Sequence, residues 1–109
     1  MDLTQKKCEA CEGGVAPLKG KDATDYLKQL NKGWTIANDH QLEREFKFPD
    51  FNSALNFTNK VGEIAESEGH HPDIFLSWGK VKIILFTHAI DGLSINDFIV
   101  AAKIDKILQ

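Results

Sequence analysis

Apolar positions along this chain change period several times, and each change marks an element. Between Lys21 and Leu30, Tyr26, Leu27 and Leu30 share one face at helical spacing, which predicts a short helix with Asp22 or Thr24 as its cap. Asn31-Lys32-Gly33 stops it, and Gly33 suits a left-handed residue at the helix end. Trp34–Ala37 reads as a strand and Asn38-Asp39-His40 as a turn. Gln41–Phe48 alternates as a half-buried antiparallel strand: Leu42, Phe46 and Phe48 point one way, and Glu43, Glu45 and Lys47 the other. Arg44 is the exception on the apolar face.

Pro49-Asp50 opens a longer helical pattern with Asp50 as its cap. Phe51, Ala54, Leu55, Thr58, Val61, Ile64, Ala65 and Glu68 keep its spacing, and Gly69 ends it. Asp73–Trp78 and Val81–His88 form two more strands, joined as a hairpin at Gly79-Lys80. In the last strand Val81, Ile83, Leu85 and Thr87 face one side, and Lys82, Ile84, Phe86 and His88 the other. Both faces are partly apolar, so the second is expected to lie under another subunit or beside a ligand. Gly92-Leu93-Ser94 leads into a last helix, with Ser94 and Asp97 set as a capping box. The order is α-β-β-α-β-β-α. It predicts an α+β fold, a four-stranded antiparallel sheet with three helices on one face. Residues 1–20 show little periodicity and read as an N-terminal arm, leaving 21–109 as a single domain.

Composition narrows what such a domain does. A chain of 109 residues suits one core, and its 42% hydrophobic and 27% charged residues are globular values. The formal charge of −3 lacks the basic excess of a duplex-binding module. No apolar run is long enough to span a bilayer, and Met1–Lys7 has no signal-peptide core. A cytoplasmic chain with reduced thiols, bound to neither nucleic acid nor membrane, is the expectation. Cys8-Glu9-Ala10-Cys11 offers two of the four ligands usual for zinc, and no strand precedes it as in a thioredoxin-like motif. It reads as an arm carrying two thiols.

The candidate chemistry lies in Glu66-Ser67-Glu68-Gly69-His70-His71-Pro72-Asp73, between the long helix and the third strand. Pairing about Gly79-Lys80 sets the end of the fourth strand beside the start of the third. His88 should therefore approach Asp73, and with it His70 and His71. Three imidazoles at one corner can supply an acid and a base near neutrality. The same three with a carboxylate can also be drawn as a zinc site, although adjacent histidines tend to diverge. As a purely structural alternative, His71 would pack and His70 would face solvent. His40, in a turn, reads as a surface bystander.

These residues resemble a known family. Glu66-x-x-x-His70-His71-Pro72, Trp78, Thr87-His88, Gly92-Leu93-Ser94 and Asp97, with Gly33-Trp34 and Phe48-x-Asp50-Phe51, are similar to pterin-4a-carbinolamine dehydratases. These proteins are also known as dimerisation cofactors of a homeodomain transcription factor. The likeness runs from about residue 21 to the end, and the Cys8-x-x-Cys11 segment with Gly13-Gly14 and Pro17-Leu18 resembles the arm of bacterial members. The resemblance implies the sheet and helix layer above, assembled as homodimers or homotetramers. It implies dehydration of a 4a-hydroxytetrahydropterin to quinonoid dihydropterin, without metal or cofactor, in recycling of the tetrahydropterin used by aromatic amino acid hydroxylases. Carried over by position, the catalytic histidines are His70, His71 and His88. The supporting or substrate-binding positions are Glu66, Pro72, Asp73, Trp78, Thr87 and Asp97. His70 and His88 are expected to move protons and His71 to bind and orient the pterin. Asp97 would suit the third position of any helix, and Trp78 could equally be a lining or a core residue. Ile74, Ile84 and Phe86 depart from the family pattern and bear on the second sheet face. Two rival functions remain: a protein-binding module that stabilises a regulatory partner, and a metal-site protein.

Overall fold

The structure, a computed structural model, describes residues 2–8 and 16–108. Cys11 lies outside them. Four antiparallel strands, β1 (Thr35–Ala37), β2 (Gln41–Lys47), β3 (Asp73–Ser77) and β4 (Lys80–Leu85), form one sheet in the order β1-β2-β4-β3. Three helices, α1 (Gly20–Leu27), α2 (Phe51–Glu68) and α3 (Ile95–Ile107), complete the expected α+β layer.

Alternation places the core on one face. Leu42 and Phe46 of β2 and Val81, Ile83 and Leu85 of β4 are buried against Ala54, Phe57, Val61 and Ala65 of α2. Phe57 was absent from the expected apolar stripe, yet it joins Phe46 and Phe48 in an aromatic cluster, with centroids 4.7 and 5.1 Å away. α2 starts where Asp50 accepts the Ser53 N–H at 2.7 Å, and it stops at Gly69, left-handed at φ +65°. α3 is buried on almost every side, as befits a helix with apolar residues all round. Tyr26 of α1 packs on its Phe98, the rings 5.3 Å apart.

Arg44 earns its place on the apolar face. Its guanidinium lies 4.4 Å from the Phe46 ring centroid and donates to Asp105 Oδ1 at 2.9 Å. Asp105, in α3, also accepts from Trp34 Nε1 at 2.8 Å and from the Asn31 N–H at 3.0 Å. One buried carboxylate thus ties α3 to β2 and to the segment before β1. Gly33 is required beside it: φ is +113°, and a Cβ there would sit 2.8 Å from Arg44 Nε.

Three expectations need correction. α1 begins at Gly20 and ends at Leu27, with Lys19 rather than Asp22 or Thr24 at its cap position. Gly33 is left-handed, but in the loop after α1 rather than at its end. β4 ends at Leu85, because Thr87 closes a short loop by pairing with Gly92, and His88–Ile90 form a 3₁₀ turn. Ahead of α1 the structure describes residues 2–8 and 16–19, and some of these touch the domain. Leu3 is buried in the core, Cys8 packs on it, and the Leu18 N–H donates to Leu93 C=O at 2.8 Å.

Candidate active site

The α2–β3 junction aims two adjacent histidines apart. The left-handed Gly69 turns the chain, and the His70 N–H returns to Ala65 C=O at 3.2 Å. This points His70 inward, where its Nε2 lies 2.6 Å from Asp97 Oδ1. The His70 side chain is 12% exposed and that of Asp97 fully buried. His71 projects outward and pairs with Glu66, one turn before the end of α2.

Asp97 is the hub. Its other oxygen, Oδ2, accepts the Thr87 hydroxyl and the Ser94 N–H, each at 2.9 Å. Thr87 and Ser94 hydroxyls are themselves 2.7 Å apart. The capping box at the start of α3 therefore does two jobs. It satisfies the helix end, where the helix dipole favours a negative charge, and it presents a single carboxylate oxygen to His70. A carboxylate can only accept, so His70 Nε2 carries the hydrogen and Nδ1 is the nitrogen left for proton exchange.

Thr87 reaches Asp97 because of the strand alternation. β4 alternates Val81, Ile83 and Leu85 into the core, and Thr87, two residues past its end, keeps to that buried side. A backbone clasp holds it, with Thr87 N–H donating to Gly92 C=O at 2.7 Å. Gly92 must lack a side chain, since a Cβ there would lie 2.7 Å from Pro17 Cβ. His88 follows on the exposed 3₁₀ turn, its ring 4.2 Å from that of Phe86.

The corner thus joins His70, Thr87, Ser94 and Asp97 by direct hydrogen bonds, His71 pairs with Glu66, and His88 adjoins Thr87 in the chain with its exposed side chain on Phe86. Pro72 is half-buried and Asp73 exposed at the head of β3. Trp78 is not brought here. It sits at the β3–β4 hairpin, 68% exposed, at the far end of a five-residue strand, or roughly 16 Å from the junction. Its aromatic character carried no information about which end of the strand holds the site. Among the described residues, no three His, Cys, Asp or Glu side chains gather as ligands for one metal ion.

Two contacts were not anticipated. Ser94 was expected only as a helix cap. His40, read as a bystander, stacks on Phe86 with centroids 4.6 Å apart and bonds Asp91 through Nε2 at 2.9 Å. The signal for His40 was the strand order, since β2–β4 pairing sets Leu42 opposite Leu85 and so carries His40 towards Thr87.

Comparison with known proteins bears on the family and the fold. The family model for Pterin 4 alpha carbinolamine dehydratase matches residues 16–107. A protein of Alkaliphilus metalliredigens, provisionally named pterin-4-alpha-carbinolamine dehydratase, is 57% identical over 105 residues, covering 96% of this chain and 95% of its own. A protein of Rubrobacter xylanophilus with the same provisional name is 48% identical, covering 97% of this chain and 98% of its own. The crystal structure of a transcriptional coactivator/pterin dehydratase from Brucella melitensis superposes with a TM-score of 0.79 at 30% identity, over 85% of this chain and 99% of that one. A pterin dehydratase-like protein described as a RuBisCO assembly factor in the alpha-carboxysome shares the fold, with a TM-score of 0.61 at 22% identity over 71% of this chain and 90% of that one. The chain belongs to the pterin-4a-carbinolamine dehydratase family.

Proposed function

We propose that the protein is a hydro-lyase that removes water from a 4a-hydroxytetrahydropterin to give the quinonoid dihydropterin, restoring a pterin for reduction to the tetrahydro cofactor. The observation that carries this reading is the Asp97–His70 pair, an inward imidazole whose tautomer is set by a buried carboxylate.

The reaction needs two proton transfers and no electron transfer. A proton delivered to the C4a hydroxyl lets it leave as water. The N5 lone pair closes the C4a=N5 double bond as the C4a–O bond breaks, and N5 loses its proton. One proton is given and one taken, so a pair of imidazoles returns to its starting state after each turnover. His70, through Nδ1, and His88 are the proton-transfer pair in this reading, and His71, held by Glu66, binds and orients the pterin. Thr87, Ser94 and Asp97 keep His70 in its working tautomer. No metal or cofactor is assigned, because the leaving water departs on proton transfer alone. The test is the ultraviolet absorbance change of a freshly generated 4a-hydroxytetrahydropterin, with and without EDTA. Dehydration well above the spontaneous rate, unchanged by EDTA, is expected. No acceleration would reject the enzyme reading, and loss with EDTA would reject metal independence.

A second reading is favoured by the uncovered sheet face, where Phe75 is 55% exposed and Ile84 and Phe86 are only half-buried. Here the chain would act as a binding module that stabilises a partner's assembly. The names of the Brucella melitensis coactivator/dehydratase and of the carboxysomal assembly factor support it as a further role. In the primary reading that face is covered by a second copy of the chain, in a cytoplasmic homodimer or homotetramer.

A further inference from the structure

His40 is held more firmly than an isolated surface histidine needs to be. The β1–β2 connection is the three residues Asn38, Asp39 and His40, of which Asn38 and Asp39 are left-handed at φ +55° and +53°. It closes with the His40 N–H on Ala37 C=O at 2.9 Å. This hydrogen-bonded turn fixes the base of His40. Both ring nitrogens meet acceptors. Nδ1 lies 2.9 Å from Gln41 Oε1, and Nε2 lies 2.9 Å from Asp91 Oδ1. The Gln41 amide nitrogen donates to Glu43, so it is the amide oxygen that turns to His40. An imidazole donates from both nitrogens only as the imidazolium.

The two ends of this clamp both lead to His88. Asp91 ends the 3₁₀ turn that begins at His88, with its N–H on His88 C=O at 3.2 Å and its own backbone left-handed at φ +50°. The Phe86 ring contacts His40 at 4.6 Å and His88 at 4.2 Å between centroids. The turn holds its own backbone, with the Ile90 N–H on Thr87 C=O at 3.2 Å, while the His88 side chain is exposed and its ring contact is with Phe86.

We propose that His40 is a positioning residue for His88, fixing the turn through Asp91 and the imidazole through the shared Phe86 ring. The proposal rests on the acid–base reading given above. A proton donor on an exposed side chain spends time away from a productive geometry unless its ring is held, and small misplacements cost large factors in rate. His40 would reduce that loss from a rigid hairpin without itself touching the reacting atoms.

The test combines steady-state kinetics with NMR relaxation of the His88 ring in the intact protein without substrate. His40→Ala removes both the bond and the ring contact. His40→Arg restores a charged donor for Asp91 and a planar face for Phe86. His40→Ala is expected to lower kcat about tenfold with KM little changed, and to raise the mobility of the His88 ring. His40→Arg is expected to recover most of both. If His40→Ala does not fold, Asp91→Asn tolerates the left-handed backbone, removes only the charge, and is expected to loosen the His88 ring in the same direction. A His88 ring equally ordered in parent and variants would overturn the proposal, as would a loss of kcat that His40→Arg does not repair. Should the parent fail to dehydrate the pterin, the functional reading falls, and the ring-order comparison still decides whether His40 positions His88.

Discussion

At the scale of single residues the decisive group is Asp97. It is fully buried, yet both of its oxygens are used, one by His70 and the other by Thr87 and Ser94. Asp97→Asn keeps the shape and exchanges an acceptor for a donor. The amide must turn its NH₂ either towards His70, reversing the imidazole tautomer, or towards donors that then lose their acceptor. Dehydration is expected to fall on the order of 10²- to 10⁴-fold, the range for acid–base groups and for a reversed tautomer. A nitrogen-detected NMR spectrum of His70 should show the hydrogen move from Nε2 to Nδ1. An unchanged rate with an unchanged tautomer would contradict this account of Asp97. Sequence spacing could place Asp97 as a helix cap and, by resemblance, as a supporting acid. It could not show that the two roles are one, because the contact with His70 spans 27 residues and depends on how α3 meets the end of α2.

At the scale of elements, packing between segments decides how the site is framed. Glu68, at the end of α2, accepts the Cys8 N–H at 2.8 Å and Lys103 Nζ of α3 at 2.6 Å. The Lys103 hydrogen bond, followed by the bond from Cys8, holds the Glu68 carboxyl below its ordinary value despite the opposing effect of burial. A depressed carboxylate stabilises the fold above its unfolded value of 4.5, and that contribution is lost as pH falls through the lower folded value. Glu68→Gln should therefore be less stable than the parent in urea melts at neutral pH. The difference should vanish in acid below Glu68's folded value, and a gap constant with pH would contradict the linkage. The same contacts explain Cys8. Burial first and the nearby Glu68 charge second push its thiol up to about 12, so it stays protonated at neutral pH. Alkylation of Cys8 in a Cys11→Ser background should be far slower in the native state than in urea, and equal rates would place the thiol in solvent.

Among the described residues, periodicity located the four strands and three α-helices, because all but α3 bury mainly one face and their pattern is written locally. Boundaries moved where a distant partner intervened: β4 stops early because Thr87 pairs with Gly92, and residues before α1 join the core because Leu18 pairs with Leu93. Trp78 lies at the opposite end of β3 from His70, and a strand's composition does not say which of its ends carries chemistry.

At the scale of the molecule, two features stand out. One is the Asp105 network, which joins α3, β2 and the approach to β1 through a carboxylate with 5% side-chain exposure. Asp105→Ala strands Arg44 and Trp34 Nε1, and is expected to cost about 3–5 kcal/mol, as for a buried ion pair broken on one side. A denaturant midpoint within error of the parent would show that the network is dispensable. The other is the open sheet face. Glu43 there pairs with Lys82 and Glu45 with Lys80 in partly exposed ion pairs of modest worth, near Ile84, Phe86 and Phe75. Apolar groups on a face without helices are the reason to expect a second copy. Light scattering should give two or four times the 12.2 kDa of one chain, and a monomer at all concentrations would contradict that expectation. Among the described residues no helix is long and apolar enough to cross a membrane.

The central claim is that His70 and His88 exchange protons with a 4a-hydroxytetrahydropterin. It is tested most directly by comparing initial dehydration rates of the parent, His70→Ala, His88→Ala and the double variant, with circular dichroism showing that each is folded. The account predicts a loss of at least about a hundredfold for each single variant, and a double variant close to the spontaneous rate. A folded double variant that dehydrates the pterin as fast as the parent would contradict it.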